Sequence, residues 1–173
     1  KWLSRNNDVS DLKETFYTQI RDSKKVSDKK RRKLSMFLKN NVLSYSISQV
    51  EPEEIDKHGL TKVPLALFDR VVKNLKTTPE HIITDNIQIK TVAEQNQTNL
   101  IKGDEKSISV SAASIIAKVF RDDIMIKLHD KYPYYGFDRH KGYGTKQHIK
   151  ALQEHGYCEI HRRSFEPIKS MKS

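Results

Sequence analysis

The 173 residues suffice for one domain with a real core, and the formal net charge of +10 marks the chain as strongly basic. A 36% hydrophobic fraction in periodic runs argues against wholesale disorder, and no apolar run approaches the ~20 residues of a membrane-spanning helix. The lone cysteine, Cys158, excludes an internal disulfide, and with no secretory apolar segment near Lys1 the expectation is a reducing, cytoplasmic location.

Ser10 is placed to cap a short helix carrying Leu12, Phe16 and Ile20 on one face. Ser27 is placed to cap a second, very basic helix running to about Asn40, with Leu34, Phe37 and Leu38 as its buried side. In VLSYSISQV (42–50), Leu43, Tyr45 and Ile47 alternate with serines, the pattern of a half-buried strand. PEEID begins a short helix, and Thr61 or Lys62 begins another, with Pro64 in its first turn and Leu67, Val71 and Leu75 as its stripe. HIITD (81–85) reads as a short strand ending in Asp85, and TNLIKGD (98–104) as a third. A long helix spans about 108 to 131 and stops before Tyr132-Pro133. The turn HKGYGT leads to a last helix, capped by Thr145 and ended near Gly156. Strands alternating with helices predict an α/β layered domain.

The positive charge is concentrated. Residues 21–39 hold nine Lys or Arg against two Asp, and residues 139–173 hold eight against three Glu, so the rest of the chain is slightly negative. That is the footprint of a polyanion-binding surface, with nucleic acid as the leading partner, although a basic surface serving only solubility has the same composition.

On the long helix, Val110, Ala113, Ala117, Phe120, Ile124 and Leu128 form the predicted apolar stripe. Ser111, Ser114, Lys118 and Asp122 line up beside it. A carboxylate in that partly shielded place needs a cation, either Lys118 one turn back or a metal. Asp85 stands at the C-terminal end of a strand, where α/β sheets gather ligand groups, though a strand-end Asp is often a cap or turn former. Two such acids are a weak signal alone. Joined to a nucleic-acid partner they suggest phosphodiester hydrolysis with carboxylate-held divalent cations, and hard oxygen ligands suit Mg²⁺ or Mn²⁺. The histidines show no zinc-site spacing.

Four blocks, RDSKKVSDKKR (21–31), IKGDEKSISVSAASIIAKVFRD (101–122), YPYYGFDRHKGYGTKQH (132–148) and HRRSFEPI (161–168), with EPEEID between the first two, resemble the ribonuclease HII signature in its usual order. The resemblance covers roughly residues 20 to 168. It implies an α/β ribonuclease H-like fold, a mixed sheet flanked by helices, as one domain over residues 1–173 with 145–173 as its helical C-terminal part. It implies an endoribonuclease acting on RNA/DNA hybrids and on ribonucleotide-containing duplex DNA, cutting 5′ to the ribonucleotide and leaving a 3′-hydroxyl and a 5′-phosphate. It also implies a monomer with no membrane partner.

In the family four acidic residues hold the metals, Mn²⁺ or Mg²⁺. By motif position Asp85 matches the third, although the usual Asp-Gly reads Asp85-Asn86 here, and Asp122 matches the fourth. Ser23, Lys24 and Lys25 resemble the family's phosphate-contacting segment; a solvated basic turn would look the same. In HKGYGT, Gly142 and Gly144 free the backbone for close approach, Tyr143 is placed to stack on a sugar or base, and His140 and Lys141 are candidate phosphate contacts. Without the resemblance, a tight turn with a packed aromatic is the simpler reading. Arg162 and Arg163 suit either phosphate contact or a helix-end role.

One departure is large. The family's first strand carries Asp-Glu-x-Gly-Arg-Gly, which supplies the first two ligands and a backbone sensor of the 2′-hydroxyl, and nothing between Lys1 and Arg21 resembles it. Asp8, Asp11 and Glu14 lie in another context. The expectation is a chain without the sheet's first strands and half its metal ligands, catalytically incomplete, with an exposed sheet edge. An N-terminally truncated reading frame fits this better than an evolved pseudoenzyme. The alternative function is a non-catalytic hybrid- or duplex-binding module. A structural component of a ribonucleoprotein is weaker, since it leaves Asp85 and Asp122 without purpose.

Overall fold

Caps, breakers and burial decide where each element starts and stops. The computed structural model describes Thr18, Ile20 and residues 27–171. The helix predicted from Ser10 is represented only by Thr18 and Ile20, both helical; Leu12, Phe16, Ser23, Lys24 and Lys25 lie outside the described residues. The chain divides into two compact units, Lys1–Tyr45 with Leu75–Val119, and Ser46–Asn74 with Phe120–Ser173.

In the first unit, α1 (Asp28–Asn41) opens where predicted: the Ser27 hydroxyl accepts from the Lys30 N–H at 3.4 Å, and Asp28 places negative charge in the first turn. Leu34 and Leu38, one turn apart, are buried, while Phe37 is only half-buried. The predicted strand 42–50 is not one. The segment after α1 pairs with no strand among the described residues, and Leu43 is 86% exposed. Alternation makes a strand only when a neighbouring strand supplies hydrogen bonds, and none of the described residues does so.

The strands β1 (Ile82–Asp85) and β2 (Gln97–Leu100) run parallel, with Ile82 opposite Gln97 and Asp85 opposite Leu100. Gln97 holds the connection between them: its side-chain amide donates to the Ile89 and Val92 carbonyls at 2.9 and 2.6 Å, and its oxygen accepts from the Ile89 N–H at 2.9 Å. β2 ends sooner than the predicted 98–104. Lys102 turns into the left-handed region (φ 57°), and Gly103 starts a short helix, α3 (Gly103–Lys106), which packs on both strands.

Helix α4 (Ile108–Lys131) has the predicted bounds but buries a different face. Its buried residues are Ser111, Ile115, Ile116, Val119 and Asp122, whereas Ala113 and Ala117 of the predicted stripe are exposed. Hydropathy alone assigned Ser111 to the polar side; the structure admits it to the interior because its hydroxyl donates to the Ile20 carbonyl at 2.6 Å.

In the second unit, α2 (Pro52–Lys73) is broken at Gly59 (φ 75°, ψ 162°) into two helical segments. Two helices were predicted, but the second starts at Leu60, so Pro64 lies deeper than its first turn, and Leu75 falls beyond the helix. A 2.8 Å ion pair between Arg70 and Glu54 links the two segments. A 3₁₀ turn (Pro133–Tyr135) and α5 (Phe137–His140) lead to α6 (Lys146–His155), where the Thr145 hydroxyl accepts from the His148 N–H at 3.3 Å and Gly156 (φ 73°) ends the helix. The core is Tyr135, Phe137, Ala151, Leu152 and Ile168, with Met125, Leu128 and Tyr157 packed around it. Among the described residues no helix is long and apolar enough to cross a membrane.

Candidate active site

Asp85 is the last residue of β1 and is exposed, and its Oδ1 accepts the Gly103 N–H at 2.8 Å. The contact requires close approach. A Cβ on Gly103 would stand 3.2 Å from both the Asp85 Cα and the Thr84 carbonyl oxygen. Asn86, where the resembling family has Gly, adopts φ 56° and donates its N–H to the Leu100 carbonyl at 2.9 Å. Asn is among the few non-Gly residues that tolerate this left-handed conformation, so the departure from Asp-Gly preserves the turn.

Asp122 is 3% exposed. The sequence offered Lys118, one turn back, or a metal as its cation; among the described residues the neighbouring Arg121 bonds the carboxylate, its Nε and Nη2 donating to Asp122 Oδ1 at 3.1 and 2.7 Å. The same guanidinium donates through Nη1 to the Tyr143 hydroxyl at 2.7 Å and lies 4.9 Å from the Tyr143 ring centroid. Burial pulls the Arg121 pKa down, but the hydrogen bonds to Tyr143 and Asp122 outweigh it and the net shift is upward.

The HKGYGT loop presents Tyr143 outward, 60% exposed. Its backbone is held from several sides: the Tyr143 N–H donates to the His140 carbonyl at 2.9 Å, and the Tyr143 carbonyl accepts from the Thr145 N–H at 2.8 Å and from His148 Nδ1 at 3.0 Å. Gly142 (φ 83°) lies against Met125, whose Cε would stand 3.2 Å from an added Cβ. His140 is buried; Nε2 donates to the Tyr135 carbonyl at 2.6 Å and Nδ1 accepts from the Gly142 N–H at 3.2 Å, so its ring ties the loop to the preceding 3₁₀ turn. Lys141 bonds the Asp138 carbonyl.

Sequence reading missed a cluster behind this loop. His148 and His161 face each other in the core, and the His161 ring also meets Cys158, with Nδ1 3.2 Å from the thiol sulfur. Thirteen residues separate the two histidines, so no local periodicity could have paired them.

The basic segments divide in character. Lys29, Lys30 and Lys33 of α1 are exposed, beside an open concavity of about 360 Å³ lined by Arg32, Ser35, Lys39 and Tyr45 among others. Arg162 and Arg163 instead lie over aromatic rings, 3.7 Å from the Phe165 centroid and 5.5 Å from that of Tyr157. Asp56 fixes this segment, accepting from the Arg163 and Ser164 N–H groups at 2.7 and 3.0 Å.

The second unit thus gathers Asp122, Arg121, Tyr143, His140 and Lys141, and the first holds Asp85 beside Gly103. Carboxylate oxygens suit a hard divalent cation. Among the described residues, no three His, Cys, Asp or Glu side chains are grouped to hold one.

The comparisons with known proteins agree with each other. The family model for ribonuclease HII matches residues 10–168. The ribonuclease HII of Bacillus thuringiensis strain Al Hakam is 45% identical over 161 residues, covering 92% of this chain and 62% of that protein. That of Bacillus mycoides strain KBAB4 is 44% identical over the same length, again 92% of this chain and 62% of the relative. The chain therefore spans about 62% of the length of the curated relatives it matches. Among solved structures, the ribonuclease H2 from Pyrococcus horikoshii OT3 superimposes with a TM-score of 0.74 at 29% identity, over 87% of this chain and 79% of that one. The mixed α/β fold with its parallel strand pair is that of ribonuclease H2, and the chain belongs to the ribonuclease HII family.

Proposed function

We propose that this protein hydrolyses RNA in RNA/DNA hybrids, including single ribonucleotides embedded in duplex DNA, cutting 5′ to the ribonucleotide to leave a 3′-hydroxyl and a 5′-phosphate. The observation that carries the reading is Asp122, a buried carboxylate tied through Arg121 to an exposed tyrosine; by the motif resemblance we take it as the family's fourth metal-binding acid.

Asp85 and Asp122 are the residues we assign to hold Mn²⁺ or Mg²⁺, with further oxygen donors needed to complete the coordination. A divalent cation held there would acidify the attacking water and offset charge on the scissile phosphate. The chain's own residues do the rest. Asp85 is kept at the strand end by the Gly103 N–H. The outward Tyr143 ring offers a stacking surface for a sugar or base. Lys141 and the exposed lysines of α1, together with Ser23, Lys24 and Lys25, engage backbone phosphates, and His140 shapes the loop that presents Tyr143.

The test is cleavage of a duplex carrying one ribonucleotide in Mn²⁺ or Mg²⁺, with Asp122→Asn and Asp85→Asn beside the parent protein. Loss of cutting with retained binding in both variants supports the assignment. Salt-sensitive binding by a protein that never cuts, even with an Asp-Glu-x-Gly-Arg-Gly segment supplied ahead of Lys1, would favour a non-catalytic hybrid-binding module.

A further inference from the structure

We propose that Arg121 is a positioning residue that couples Asp122 to Tyr143, so that the carboxylate and the ring facing the substrate sugar keep one fixed relation. The inference rests on the ribonuclease reading of those two residues.

Consecutive residues on a helix point ~100° apart and do not ordinarily face each other. Arg121 nevertheless folds back on its neighbour, spending two donors on a single carboxylate oxygen: Nε at 3.1 Å and Nη2 at 2.7 Å from Asp122 Oδ1. Holding a long side chain this way opposes its rotamer entropy. The remaining edge of the guanidinium explains the arrangement, because Nη1 reaches the Tyr143 hydroxyl at 2.7 Å while the planar group lies 4.9 Å from the ring centroid. One rigid fork thus fixes both the oxygen and the plane of the phenol. A lysine ammonium carries no such planar fork.

The loop contacts pin only the Tyr143 backbone. Its N–H and carbonyl are taken by His140, Thr145 and His148, and none of these touches the phenol oxygen. The ring is placed by Arg121. The three run from buried to exposed: the Asp122 side chain is 4% exposed, the Arg121 side chain 40%, and the Tyr143 residue as a whole 60%. A sugar seated on Tyr143 is thereby referenced to the carboxylate, and displacement of ~1 Å in such a relation can lower a rate ~100-fold.

Proton NMR of the Tyr143 ring on the 173-residue chain reads the coupling without substrate. Arg121→Gln is expected to move the ring signals to random-coil positions, while amide exchange at residues 142–144, set by the backbone contacts of the loop, changes less than about twofold. Arg121→Lys should fail to restore the parent signals. Affinity for an RNA/DNA hybrid then tests the consequence: Arg121→Gln lowers it about tenfold in the parent but less than about twofold in a Tyr143→Phe background. Unchanged Tyr143 ring signals in Arg121→Gln, or additive losses in the double variant, overturn the proposal. A parent chain that ignores the hybrid contradicts the ribonuclease reading instead, and the ring signals still decide whether Arg121 places the phenol.

Discussion

His148 Nε2 and His161 Nε2 stand 3.2 Å apart in the aromatic core, and the contact is favourable only when one ring donates and the other accepts. The surrounding bonds decide which. Cys158 donates its N–H to His161 Nδ1 at 3.1 Å, so His161 carries its proton on Nε2; His148 gives its Nδ1 proton to the Tyr143 carbonyl at 3.0 Å, leaving Nε2 to accept. Protonating either ring sets two N–H groups against each other. Burial, reinforced by the neighbouring His148, pushes His161 down to about 4, and burial likewise lowers His148. Because the folded values lie below the unfolded one, the unfolded chain binds more protons in the intervening window. Stability from this pair is complete above pH ~6.5 and is lost as pH falls toward about 4, by at most ~3 kcal/mol for His161. Thermal midpoints measured across that window should fall with acidification; a flat profile would contradict the assigned tautomers.

Gly103 is where the Asp85 turn leaves little room for a side chain. An alanine Cβ there meets backbone atoms of Thr84 and Asp85 at 3.2 Å and Val110 Cγ1 at 3.3 Å. Gly103→Ala should destabilise the chain by about 1–3 kcal/mol, read by urea denaturation. It should also disturb the Asp85 carboxylate, visible as a shift of its side-chain NMR signals.

Asp56 holds the HRRS segment through both oxygens. Burial acts to raise its pKa, but the hydrogen bonds from Ser164 and Arg163 and the charge of Arg162 prevail and lower it. Asp56→Ala is expected to cost about 1 kcal/mol after allowance for solvent screening and to raise hydrogen exchange at Arg163 and Ser164. Acidification through the lowered Asp56 value should loosen the same two amides, since this stabilisation is present above the unfolded pKa and lost below the folded one.

Lys29, Lys30 and Lys33 are exposed on α1. Changing all three to Gln should weaken hybrid binding across sequences and reduce the slope of log affinity against log salt by up to about 2 to 3. An unchanged slope would remove α1 from the nucleic-acid surface.

Local chemistry was legible in the sequence. The Ser27 and Thr145 caps, the stop before Tyr132-Pro133, the strand ending at Asp85 and the α4 bounds all depend on residues within a few positions of each other. Whatever required a partner distant in sequence was not. The face α4 buries is settled by its neighbours, which admit Ser111 and leave Ala113 and Ala117 outside. Residues 42–50 alternate correctly and still lack a strand to pair with among the described residues. At the candidate site, Asp122 and Tyr143 could be picked from their motifs, but the guanidinium that joins them was obscured because adjacent helical residues are expected to diverge. His140 could not be told from a surface phosphate contact until its two ring nitrogens were found on backbone groups of Tyr135 and Gly142.

The most direct measurement is cleavage of an end-labelled duplex containing one ribonucleotide by the intact protein in Mn²⁺, alongside Asp122→Asn and Asp85→Asn. The ribonuclease reading predicts a single cut 5′ to the ribonucleotide and at least about a hundredfold slower cutting in each variant, with duplex binding retained. Cleavage by Asp122→Asn at the parent rate would contradict it.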